Sequence, residues 1–165
     1  QVFLGAAAEP ARQYVFGARD RCDETVFRLR TVRDARYRYI RNFTPDRPFL
    51  QANEYKEKQY PVWNLIKELA AQDKLTPAQA VLAAPTMPEE ELYDMQTDPY
   101  QIQNLVDSPK PESQEALERL RGVLTQWIEE TNDQGRMPEA DDVVKNEGRT
   151  KPAPEKSKGK NRKKN

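Results

Sequence analysis

The sequence predicts an α+β fold: a small antiparallel β-sheet of about four strands, covered by a long C-terminal helix and shorter helices, and followed by a disordered basic tail. Three observations predict it. Residues 25–41 alternate like two strands around a tight turn. Residues 117–131 carry apolar side chains at helical spacing. Beyond Gly135 no apolar periodicity remains, and Lys151 to Asn165 is a low-complexity, basic stretch. The expected boundaries are therefore 1–134 for the folded region and 135–165 for the linker and tail.

The elements follow in order. Gln1 to Pro10 reads as a connecting segment, because Pro10 interrupts the alanines at 6–8. Tyr14-Val-Phe-Gly-Ala18 is the first strand, and Arg19-Asp-Arg-Cys-Asp-Glu24 is a dense charge cluster after it. Thr25 to Arg33 is the second strand, with Phe27 and Leu29 on one face and Arg28 and Arg30 on the other. Asp34-Ala35 is a turn that lacks the glycine favoured in two-residue hairpin loops. Arg36 to Arg41 is the third strand, with Tyr37 and Tyr39 sharing a face.

Asn42-Phe43-Thr44 matches the N-glycosylation acceptor pattern, which is too common to build on alone. Thr44 to Pro61 reads as an irregular, proline-marked loop. Val62 to Gln72 is a helix, because Val62, Leu65, Ile66 and Leu69 fall at i, i+3, i+4 and i+7. Thr76-Pro-Ala-Gln79 starts a second, short helix: Thr at the N-cap, Pro at the first helical position, Gln three residues after the cap. Glu91 to Met95 alternates as the fourth strand, and Thr97-Asp98-Pro99 stops it, with the Asp side chain able to close a turn. Ile102 and Leu105 are a second, smaller apolar anchor. The last helix starts at Ser108 or Lys110 and ends near 132–135. Its stripe is Leu117, Leu120, Leu124, Trp127 and Thr131, widened by Val123 and Ile128. Gly122 costs it about 1 kcal/mol relative to Ala, so the helix depends on packing.

Composition narrows the chemistry. The chain has 165 residues, of which 33% are charged and none is His. The usual general base of Ser and Cys hydrolases and the commonest transition-metal ligand are thus missing. A lone cysteine, Cys22, permits no internal disulfide. The arginines beside it could lower a thiol's pKa, but the plainer reading is a small side chain in a polar loop or strand end. No apolar run approaches the roughly 18 residues of a membrane span. The first residues lack a Met and the pattern of a secretion signal, which suggests a start within a longer protein. Net charge is zero, yet residues 149–165 carry eight Lys or Arg and one acid, leaving 19 basic and 26 acidic side chains in 1–148.

Several stretches occur in a telling order: Tyr14-Val-Phe-Gly-Ala-Arg-Asp-Arg21 with Asp23-Glu24, Val32-Arg-Asp34 with Arg36-Tyr-Arg-Tyr-Ile40, Lys74-Leu-Thr-Pro77, Glu91-Leu-Tyr-Asp94 and Asp98-Pro99. In this order they resemble the C-terminal region of bacterial sulfatases, members of the alkaline-phosphatase-like superfamily. The nearest group is the N-sulphoglucosamine sulphohydrolase-like set, and the resemblance covers roughly 1–132. Gln101 departs from it, since a Glu is usual two residues after the Pro.

The resemblance implies that residues 91–95 are the last strand of a small C-terminal sheet, before a final helix. It places the catalytic parts upstream: a Cys/Ser-X-Pro-X-Arg motif matured to a formylglycine nucleophile, and a calcium ion held by Asp and Asn residues. Cys22 is followed by Asp-Glu-Thr-Val and does not fit that motif. No cofactor is expected in this segment. Its implied partners are an N-terminal sulfatase catalytic domain in the same chain and a sulfated carbohydrate, without a membrane. The compartment stays open; relatives of this kind are periplasmic, secreted or lysosomal.

Arg19, Asp20, Arg21 and Asp23 are the candidate substrate-binding residues. Guanidinium groups make charge-assisted, often bidentate bonds to oxyanions, and carboxylates accept from sugar hydroxyls. The alternative for them is a surface ion-pair network. Two other functions stand beside this one: a non-catalytic binding module whose basic tail engages nucleic acid or another polyanion, and a related phosphoesterase of the same superfamily.

Overall fold

Four strands pair in chain order, each antiparallel to the next, in a sheet ordered β1-β2-β3-β4. They are β1 (Val15–Cys22), β2 (Thr25–Arg33), β3 (Tyr37–Asn42) and β4 (Glu90–Asp94). This computed structural model describes residues 12–22 and 24–138. The connection from β3 to β4 carries α1 (Glu54–Gln59), α2 (Pro61–Ala71), α3 (Pro77–Ala80) and the 3-10 turn Val81–Ala83, and α4 (Pro111–Glu130) follows β4. The expected α+β fold, with a four-stranded antiparallel sheet and a long helix, is what forms.

The core lies between the sheet and α4. Phe16, Val32, Tyr39 and Leu92 are directly opposite one another across the four strands. Ala116, Leu117, Leu120, Leu124 and Ile128 of α4 close over that side. Burying each large aliphatic side chain stabilises by about 1.5–3 kcal/mol. The buried stripe differs from the expected one: it begins at Ser113, runs through Ile128, and leaves Thr131 exposed. Trp127 is half-buried and stacks on Phe16 at 5.0 Å. Pro111 occupies the first turn of the helix, where a missing N–H costs nothing.

A smaller aromatic cluster joins the start of β2 to the long connection. Phe27, Phe49 and Trp63 follow one another at 6.0 and 6.2 Å. The Gln51 side chain pairs with the Val26 backbone like one rung of a strand. Asn53 donates to Thr25 at 2.9 Å and accepts from the N–H of Lys56, capping α1. Residues 44–61 are therefore not wholly irregular. The capping box of Thr76 and Gln79 forms as expected.

Side chains close the turns. The Asp34 carboxylate accepts from the N–H groups of Arg36 and Tyr37, so the β2–β3 turn works without a glycine. Asp98 accepts from Ile102 and Gln103. Gln101 takes a positive φ of 56° and accepts from Arg38. Leu105 packs against the core, whereas Ile102 is exposed. Asn104 lies along the outer edge of β4, accepting from the N–H of Leu92 and donating to the carbonyl of Glu90.

Two strand expectations change. First, β1 runs on through Arg19, Asp20, Arg21 and Cys22, which were expected to form a charge cluster beyond the strand. Its pairing slips between Arg19 and Arg21, where β2 carries one extra residue, a β-bulge. Second, Arg30 is buried, 1% exposed. All five of its N–H donors are used: on both carboxylate oxygens of Asp133, both of Asp20, and the Leu29 carbonyl. The Asp133 bonds raise the guanidinium's pKa against the opposing effect of burial, and Arg30 holds the Asp133 carboxyl below its usual range. Asp133 lies just past α4, so this contact ties the end of the helix to the hairpin. Arg119 to Asp34 at 2.7 Å and Arg121 to Glu90 at 2.8 Å fix α4 further along.

Four variants test these contacts by chemical denaturation. Leu120→Ala, at a fully buried position, should cost about 2–5 kcal/mol. Gly135→Ala should destabilise markedly, because a Cβ there would lie 1.3 Å from Arg30 Nη2, whereas Gly122→Ala, which meets nothing, should stabilise by about 1 kcal/mol. Glu90 is lowered from its ordinary 4.5 to about 2, chiefly by the Arg121 guanidinium. Its contribution is present above pH 4.5 and is lost as pH falls toward 2, so Glu90→Gln should flatten the decline of the urea midpoint across that window.

Candidate functional site

The bulged end of the β1–β2 hairpin and the segment after α4 enclose a cavity of about 640 Å³. Asp20 and Arg21 come from β1, Arg28 from β2, Arg47 from the loop after β3, and Gln134, Gly135, Met137 and Pro138 close one side. Phe27 and Met137 add apolar wall. The local cause is the bulge: the extra residue in β2 sits beside Phe27 and Arg28, which both border this space.

Charge sets what the cavity can hold. Asp20 is already engaged with the buried Arg30, and Arg30 is shared with Asp133. Those three groups together carry one negative charge. Arg28 and Arg47 add two positive ones, and Arg21 also lines the wall. Among the described residues, neither Arg28 nor Arg47 holds a carboxylate in an ion pair. Guanidinium groups around a partly apolar concavity suit an oxyanion such as a sulfate or carboxylate, through paired N–H donors.

The four residues named from the sequence do not act as one group. Asp20 and Arg21 line the cavity. Arg19 is exposed and lies over the Phe27 ring, 3.9 Å from its centroid. Asp23 is outside the described residues. Arg28 and Arg47, which sequence reading passed over, complete the basic wall. They are 19 residues apart in unlike segments, so no motif links them.

Other candidates settle differently. Cys22 is exposed at the end of β1. Among the described residues no three His, Cys, Asp or Glu side chains gather as a bound cation would need. Cys22, followed by Asp-Glu-Thr-Val in the sequence, does not fit the motif of a formylglycine nucleophile. Asn42 is 1% exposed, donates to the Pro88 carbonyl and accepts from Thr44, so the folded chain offers no acceptor at that glycosylation pattern. Among the described residues no helix is long and apolar enough to cross a membrane. The basic tail lies outside the described residues.

Comparison with known proteins gives the family. No family model matches the chain. It is 34% identical over 145 residues to an ulvan-active sulfatase of Formosa agariphila, covering 88% of this chain and 24% of that protein. A second ulvan-active sulfatase of the same organism is 31% identical over 123 residues, covering 73% of this chain and 22% of its own length. A solved 2-O GAG sulfatase overlays 84% of this chain and 21% of its own, at 20% identity and a TM-score of 0.44. The chain thus spans about a quarter of the length of the curated relatives it matches. With that share and that similarity, the chain belongs to the sulfatases, as a C-terminal region of the family.

Proposed function

We propose that this region serves a sulfatase that hydrolyses sulfuric ester or sulfamate groups on a sulfated carbohydrate. The reading is supported chiefly by the 34% identity to an ulvan-active sulfatase across most of the chain. The formylglycine and calcium of that chemistry belong, on this reading, to an N-terminal catalytic domain of the same polypeptide. The described residues supply no nucleophile of their own, and this region alone is inactive.

Its share of the work is substrate binding. The cavity of Arg21, Arg28 and Arg47 receives an anionic group of the sugar chain, and Phe27 and Met137 offer apolar contact to a ring. Arg30 has no donor left for a ligand. Its role is to hold Asp20, so that this carboxylate stays fixed at the cavity wall. Arg19, which lies over the Phe27 ring and is free of any ion pair among the described residues, belongs to the proposed set with Asp23, which is outside the described residues.

The experiment compares substrates in the full-length enzyme. Arg28→Ala and Arg47→Ala should each lower the ratio of kcat/KM for ulvan to kcat/KM for a small aryl sulfate by about tenfold, as one charge-assisted bond of roughly 1.5–3 kcal/mol is lost. Arg→Lys at either position should restore part of the loss. An unchanged ratio in both Ala variants would remove the cavity from the substrate path.

A further inference from the structure

We propose that the outer side of α2 and the adjoining 3-10 turn, through Val62, Leu65, Val81 and Leu82, docks against the part of the sulfatase polypeptide that lies outside this chain. The inference rests on the reading of the chain as one region of a longer sulfatase. It concerns residues other than those that line the arginine cavity.

The helix α2 has the spacing of a core element. Val62, Leu65, Ile66 and Leu69 fall on one stripe. Yet Trp63 is its one buried residue, and Val62 and Leu65 are 57% and 49% exposed. The 3-10 turn touches α2 and leaves Val81 55% exposed. The contrast with α4 is direct, because that helix buries its own stripe on the sheet. Large apolar side chains left in water on two touching elements mark a surface that another element covers.

A second observation lies in the same helix. Trp63 is buried, but its indole N–H meets no acceptor among the described residues. A buried donor without an acceptor costs about 1–3 kcal/mol. Lys56 and Lys67 lie over the same indole ring, at 4.5 and 5.9 Å, so charge borders the apolar stripe as it borders interface cores.

The occupant follows from length. The matched relatives extend far beyond this region, which covers 24% and 22% of them. Most of such a polypeptide is available to cover α2, in the same molecule and at high effective concentration.

Hydroxyl-radical footprinting of the unmodified full-length protein, under conditions where it sediments as a monomer, tests this. Leu65 and Leu82 should be oxidised about tenfold more slowly than the same residues in denatured protein, the protection of a stably covered site. Rates close to those of denatured protein would overturn the proposal. Protection that appears only when the protein self-associates would assign the face to a second copy and overturn it as well. An intact native mass near 19.1 kDa would instead remove the longer-chain reading itself, which is a separate failure.

Discussion

A guanidinium taken out of water needs every N–H placed, and Arg30 meets that demand with groups drawn from three parts of the chain. Asp20 comes from β1, the Leu29 carbonyl from β2, and Asp133 from the turn after α4. Removing either carboxylate would leave charge buried without its partner, which costs far more than an exposed pair contributes. The constraint therefore fixes where β1 pairs, where α4 stops and which residue can follow. Gly135 has no side chain because Arg30 occupies that space.

The remaining contacts of α4 divide into two kinds. Apolar burial of Leu117, Leu120 and Leu124 supplies the stabilisation. Ion pairs at Asp34–Arg119, Glu90–Arg121 and Asp133–Arg30 set the helix's direction along the sheet. The Glu90 carboxylate gathers Arg121, Arg41 and the Tyr39 hydroxyl at one point, and burial with that contact pushes the Tyr39 phenol up to about 12. The oriented helix then delivers Gln134, Gly135, Met137 and Pro138 to the arginine cavity. Core packing and the candidate site are joined through that one helix end.

What the sequence reveals depends on range. The β2–β3 hairpin, the capping box at Thr76 and the helix at 111–130 are legible because local alternation, spacing and cap residues declare them. Helix α1 has six residues and no apolar stripe, and it forms on an Asn53 cap anchored to Thr25, 28 residues away. Arg30 reads as solvent-facing from alternation alone, since its partners lie 10 and 103 residues distant. The site divides likewise. Asp20 and Arg21 stand out as a charge cluster, whereas Arg28 and Arg47 join them only through the bulge and the fold.

The treatment of the sheet's two rims has a consequence for assembly. On the β4 side the Asn104 amide mimics the peptide group of a fifth strand. On the β1 side, Arg19, Asp20 and Arg21 place charge along the last strand. Exposed strand edges invite pairing with other chains, and both devices discourage it. Among the described residues, the β4 edge is thus capped by a side-chain amide and the β1 edge is guarded only by charge, so the two rims resist added strands by different means.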